Sequence, residues 1–186
     1  MDHPKQIDTP RMVLRHLQAT DADTIYDYLQ EPEIAMNVLS IPYPYTRHNA
    51  ITFIEWATEK MAEQPTFVLE RRSDEQMLGV IGAMFEAPHR RVEIGYWLGK
   101  PHWGQGYMSE AARVLVRYIF DAYPSVQRIY AECFPYNVGS ARIMQNAGMQ
   151  YEGTLRQHVF HAIREENMDV DFYALLRQDY IGQQTT

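Results

Sequence analysis

Two rhythms of apolar residues run along this chain and divide it into strands and helices. Residues 11–17 read as a first strand, 67–71 and 77–85 as a hairpin about the polar turn 73–76, and 92–98 as a strand after a turn at 88–91. Residues 128–133, 151–160 and 168–176 complete the set; in the last, Met168, Val170, Phe172 and Leu176 alternate with Asp169 and Asp171. The helical rhythm is clearest beyond Tyr107, where Ala112, Leu115, Val116 and Ile119 share one face. Thr46 can cap an earlier helix with Ala50, Phe53, Ile54, Ala57 and Met61 turned inward. Thr20 to Asp23 has the spacing of a capping box and opens a short helix ending before Pro32. A last helix follows Asn137 and stops at Gly148. Segment 33–45, with Met36, Val38, Leu39, Ile41, Tyr43 and two prolines, is an irregular connection: a packed loop or a wall of a substrate site. The order is strand, two helices, three strands, helix, strand, helix, two strands. That is a mixed α/β (α+β) fold.

The chain is organised around the junction between strand 92–98 and the helix after Tyr107. It contains Gly99, Gly104 and Gly106. Glycine lets a backbone approach a ligand closely, and the first turn of a helix offers N–H groups without intrahelical acceptors. Such a loop suits a phosphate; it also suits an ordinary helix start. The commonest phosphate loops are excluded, because Tyr107-Met108 stands where a Walker loop needs Lys-Ser/Thr, and Ser109 where a dinucleotide fingerprint needs glycine.

Composition narrows the class. The chain has 186 residues, 46% of them hydrophobic, which supports one domain (1–186, core about 9–178). Its net charge of −7 argues against a nucleic-acid partner and mildly favours a cationic substrate. A single cysteine, Cys133, excludes an internal disulfide framework and fits a reducing, cytoplasmic setting. No apolar run approaches a membrane span, and the polar start does not read as a signal peptide. His158 and His161 fall on opposite faces of a strand, so no metal site is expected.

Glu93-Ile-Gly-Tyr-Trp-Leu98 followed by His102-Trp-Gly-Gln-Gly-Tyr-Met-Ser-Glu-Ala111 resembles the acetyl-CoA-binding core of the GNAT superfamily of N-acetyltransferases. The chain is most similar to the branch containing the ribosomal-protein N-terminal (Rim-type) acetyltransferases, with which it shares Asn137-x-x-Ser140 and the endings 152–156 and 171–177. The resemblance covers nearly the full chain. It implies a mostly antiparallel seven-stranded sheet flanked by helices and splayed between the fourth and fifth strands, 92–98 and 128–133. It also implies acetyl-CoA as cosubstrate, no metal, and a monomer or homodimer. Trp97, Leu98, His102, Trp103, Gly104, Gln105, Gly106, Tyr107, Met108, Asn137 and Arg142 would surround the acetyl-CoA, with loop amides on its pyrophosphate. Lys100 is a further cation near its phosphates. Two departures stand out. Pro101 replaces the Arg or Gln often found three residues before the first glycine, and Met144 replaces a tyrosine that some relatives use as an acid.

Acetyl transfer to an amine needs a bound donor, a polarised carbonyl, a deprotonated ammonium and a protonated thiolate, but no covalent enzyme intermediate. Cys133 therefore reads as core. Alternation places Glu93 with Gly95 and Trp97 on one strand face, opposite Val92, Ile94, Tyr96 and Leu98. If that face lines the cleft, Glu93 is the general base; otherwise it pairs with Arg90 or Arg91. Glu132 is the fallback. Ser140 is the candidate proton donor to sulfur, or a plain helix-start residue beside an Asn137 N-cap. The resemblance implies a protein N-terminal α-amine as acceptor, with Glu33, Glu165 and Glu166 as acidic groups that could hold it. The alternatives are a small-amine acetyltransferase (polyamine, amino acid or aminoglycoside) and a non-catalytic acyl-CoA sensor.

Overall fold

Local capping signals and period-two runs form the elements largely where the residues place them. The structure, a computed structural model, describes residues 3–38 and 41–184 and resolves into two compact units. One comprises Met1–Gly82 with Tyr96–Tyr107, the other Ala83–Gly95 with Met108–Thr186. Strands β4 (Met77–Glu86) and β5 (Arg91–Leu98) and helix α4 (Tyr107–Ala122) run through both.

In the first unit, β1 (Gln6–Asp8), β2 (Met12–His16) and β3 (Thr66–Arg71) pair antiparallel, with strand order β1-β2-β3-β4-β5. Helices α1 (Ala22–Tyr28), α2 (Pro32–Ala35) and α3 (Arg47–Glu59) belong to this unit. Its core joins Ile25 and Leu29 to Ala50, Ile54 and Ala57 of α3, and to Val68, Val80 and Trp97 of the strands. Thr46 caps α3 as its sequence predicts, its Oγ1 accepting from the Asn49 amide at 3.1 Å. Met61 lies beyond the end of that helix. The capping box expected at Thr20 is displaced: a 3₁₀ turn at Ala19–Asp21 precedes α1, and Asp21 accepts from the Gln18 amide at 2.8 Å. Asp21 is buried and satisfied by Arg15, whose Nη1 and Nη2 donate at 2.9 and 2.8 Å. A buried carboxylate with a guanidinium partner outcompetes an exposed threonine for the helix start.

In the second unit the order is β4-β5-β6-β8-β7, with β6 (Arg128–Cys133), β7 (Gln150–His161) and β8 (Glu166–Leu176). Helices α5 (Val138–Asn146) and α6 (Arg177–Gln184) accompany α4. The predicted face of α4 is buried: Ala112, Leu115, Val116 and Ile119 are each 2% exposed or less. Gly148, at φ 88°, ends α5, with the Met149 amide donating back to Met144 O at 3.0 Å. The parallel register between β5 and β6 runs over Arg91↔Arg128, Val92↔Ile129 and Glu93↔Tyr130 and goes no further. β6 continues on β8 as far as Cys133↔Asp171. The splay expected between the strands at 92–98 and 128–133 therefore opens just past Glu93.

Eight strands stand where the sequence predicts seven. The addition is β1, three residues that pair with β2, too short to carry a period of its own. Leu39, part of the apolar stretch 33–45, lies outside the described residues. The rest of that segment is not wholly irregular, since Pro32 starts the short α2.

Candidate active site

The end of the β5–β6 register brings a set of ionisable groups together in the second unit. Glu93 and Tyr130 are paired neighbours in parallel strands, so their side chains leave the same face. Tyr130 Oη lies 3.2 Å from Glu93 Oε2 and 2.6 Å from Glu86 Oε1. Glu86 is clamped by Arg91, whose Nε and Nη2 donate to its two oxygens at 2.8 Å each. That fork–fork pair holds Glu86 below the usual carboxylate range. Glu93 moves the other way: burial raises it, the Glu86 charge adds to the rise, and the Arg91 charge opposes it. Glu132, two residues beyond Tyr130, is likewise raised by burial, with Glu93's charge contributing. Of the two arginines expected as alternative partners for Glu93, Arg90 and Arg91, the second instead binds Glu86 across the 87–90 turn.

Asn137 and Ser140 sit at the start of α5. Asn137 Oδ1 accepts from the Ser140 amide at 3.0 Å and caps the helix. Burial pushes the Cys133 thiol up to about 12, with the Ser140 hydroxyl opposing the rise. Cys133 is 3% exposed and inert as a nucleophile at that value. Met144, the residue that departs from the tyrosine of some relatives, is fully buried. Arg142 lies exposed on the same helix. His161 is buried against Phe134, and His158 meets Phe172 edge-on. Among the described residues, no group of three or more His, Cys, Asp or Glu side chains is arranged to hold a metal ion.

The glycine loop belongs to the first unit, and its side chains brace it from behind. Trp103 Nε1 donates to Leu98 O at 2.7 Å, Gln105 Nε2 to Pro101 O at 2.9 Å, and Arg11 Nη1 to Gln105 O at 2.9 Å. The Arg11 guanidinium also lies 4.5 Å from the Tyr107 ring centroid. His102 is buried, 2.9 Å through Nε2 from the Tyr28 hydroxyl, which donates to Met77 O. Burial lowers the His102 pKa, so it is a neutral pin at neutral pH. Trp97 packs edge-on to Tyr28 in the core. Tyr107 and Met108 are buried where α4 begins. Gly104 and Gly106 have φ of 73° and 79°, a left-handed backbone that most side chains disfavour. Nothing lies within 4 Å of where a Cβ on Gly104 would stand, so that part of the loop is open to an anion. Lys100 does not face outward alone: Glu33 and Glu31 hold it at 2.5 and 3.5 Å. Glu33 is thereby engaged as well.

The contacts that the sequence did not show are those of Tyr130 with Glu86 and of Glu86 with Arg91. A signal existed in part, because Glu86 and Arg91 flank a turn and oppose each other across a hairpin. Nothing local marked Tyr130.

Residues 11–150 match the family described as acetyltransferase (GNAT) domain. The chain is 30% identical to the uncharacterized N-acetyltransferase p20 of Bacillus licheniformis, over 94% of this chain and 97% of that one. It is 30% identical to the ribosomal-protein-serine acetyltransferase of Escherichia coli (strain K12), over 54% of this chain and 55% of that one. In fold it is similar to the microcin C7 self-immunity acetyltransferase MccE, solved in complex with acetyl-CoA and AMP. The TM-score is 0.83 at 17% identity, over 94% of this chain and 97% of MccE. The splayed strands and glycine loop are therefore those of an acetyltransferase fold, and the chain belongs to the GNAT acetyltransferase family.

Proposed function

We infer that the chain transfers an acetyl group from acetyl-CoA to a primary amine, namely the α-amine at a protein N-terminus, with Glu93 as general base. One observation carries the reading: a half-buried carboxylate with a raised pKa stands where β5 leaves β6. Glu93 as base and the α-amine acceptor support each other. An α-amine has a pKa near 8, against about 10.4 for lysine, so a modest carboxylate deprotonates it more readily. The likeness to a ribosomal-protein-serine acetyltransferase favours a protein acceptor.

The loop's chemistry fits the donor. Left-handed glycines at 104 and 106 leave the backbone unshielded, and the 16-residue α4 starts at Tyr107. Main-chain amides of residues 104–108 with the positive end of the helix dipole would hold a pyrophosphate, and Pro101 takes no part. Trp97, Leu98, Asn137 and Arg142 remain proposed contacts, Trp97 through its main chain because its ring is buried. Acetyl-CoA, when bound, supplies the acetyl thioester. Glu93 Oε2 takes one proton from the substrate ammonium, freeing the lone pair that forms the C–N bond. Ser140 Oγ is the proposed relay for the second proton that the nitrogen sheds as the amide forms: it gives its own proton to the departing sulfur and takes that one in return. Ser140→Ala should lower kcat by less than ~10² because water can replace a hydroxyl, with KM for acetyl-CoA little changed. A large rise in that KM would reassign Ser140 to binding.

The acceptor is tested with peptides bearing a free or a blocked N-terminus, each with an internal lysine. Acetylation is expected only at the free α-amine. Comparable kcat/KM on the lysine of the blocked peptide rejects the reading, and turnover confined to small free amines replaces it with a small-molecule acetyltransferase.

A further inference from the structure

Tyr130 carries one hydroxyl proton and stands between two carboxylates. The Glu86 contact is the shorter, 2.6 against 3.2 Å. Arg91 keeps Glu86 ionised and therefore a permanent acceptor, so the proton of Tyr130 points to Glu86. The ring cannot swing away, because it stacks on Phe172 at 5.6 Å with a 10° interplanar angle and lies under the Arg91 guanidinium at 5.3 Å. What Tyr130 presents to Glu93 is thus an oxygen lone pair. Two oxygens with no proton between them repel each other; with a proton on Glu93 they form a hydrogen bond.

We propose that Tyr130 is a positioning residue whose phenolic oxygen waits as the acceptor for the proton that Glu93 takes up, because Glu86 and Arg91 hold Tyr130's own proton on the other side. The inference rests on Glu93 as the base. After transfer the ammonium has lost one proton and Glu93 has gained it. Glu93 O–H then donates to Tyr130 Oη, Tyr130 O–H to Glu86 Oε1, and Arg91 to Glu86. The charged and titratable groups around Glu93 come from three strands: Glu86 of β4, Arg91 of its own β5, and Tyr130 and Glu132 of β6. His89 acts on Glu86, and His158 of β7 acts on Glu132.

The test is ¹³C NMR titration of the full chain labelled at glutamate Cδ, the Glu93 signal being assigned by its loss in Glu93→Gln. Tyr130→Phe keeps the ring and its stacking and removes only the oxygen. Glu93 is expected to titrate lower in that variant, by on the order of one pH unit. The acid limb of kcat/KM should move the same way. 3-Fluorotyrosine at position 130, a weaker acceptor that preserves the packing, should give a smaller shift in the same direction. An unmoved Glu93 makes Tyr130 a scaffold, and an upward shift makes it a donor to the carboxylate; either overturns the proposal. The base assignment fails separately, by undiminished turnover of Glu93→Gln, and the titration does not depend on it.

Discussion

Glu93→Gln is expected to lower kcat by roughly 10²–10⁴ while leaving acetyl-CoA affinity nearly intact. Glutamine keeps the size of the side chain and its reach to Tyr130 but cannot take up a proton. The sign of the pH dependence follows from the same group. Burial lifts Glu93 above the ordinary glutamate value, and a base works only when ionised. In the unaltered chain kcat/KM should therefore climb as pH rises through that elevated pKa and level off above it. The climbing limb should vanish in the variant. Steady-state rates with a free-N-terminus peptide across the acid range measure both effects. Unaltered turnover would move the role to Glu132, which burial raises in the same way.

The second large effect is on donor binding. Gly104→Asp places a carboxylate on the loop proposed to hold a pyrophosphate. Its Cβ enters open space, and Asp and Asn are among the side chains that best tolerate a left-handed backbone at φ 73°. Gly104→Asn is the matched control, with the same shape and no charge. Relative to that control, the Asp variant should bind acetyl-CoA more weakly by on the order of 10- to 100-fold, or ~1.4 to 2.8 kcal/mol. The difference should shrink as salt is added, because exposed charges are screened. Calorimetry on both variants, with thermal melts to confirm folding, decides it. Equal affinities would place the phosphates elsewhere.

Much of the architecture is legible in local chemistry. The face of α4 follows from the 3.6-residue period, the start of α3 from Thr46, and the end of α5 from Gly148, each an interaction within a few residues. The glycine loop was readable for the same reason, because a left-handed backbone selects glycine whatever surrounds it. Glu93 could be singled out as a carboxylate in an apolar strand. Its protonation could not, since that depends on burial.

What the tertiary structure alone decided was which side chains meet. Strand alternation put Trp97 on the face of Glu93, yet Trp97 is buried beside Tyr28 while Tyr96 and Leu98 are only partly covered. Alternation names two faces but not what covers either. Lys100, a cation beside a phosphate loop in the sequence, is held by carboxylates 67 and 69 positions away. Tyr130 reaches Glu86 across 44 positions and Glu93 across 37. Backbone propensities and caps act over one turn and leave their mark in neighbouring residues. The partner of a charge and the dielectric around it are set by chain segments that only folding brings together, and those two quantities govern the chemistry of Glu93.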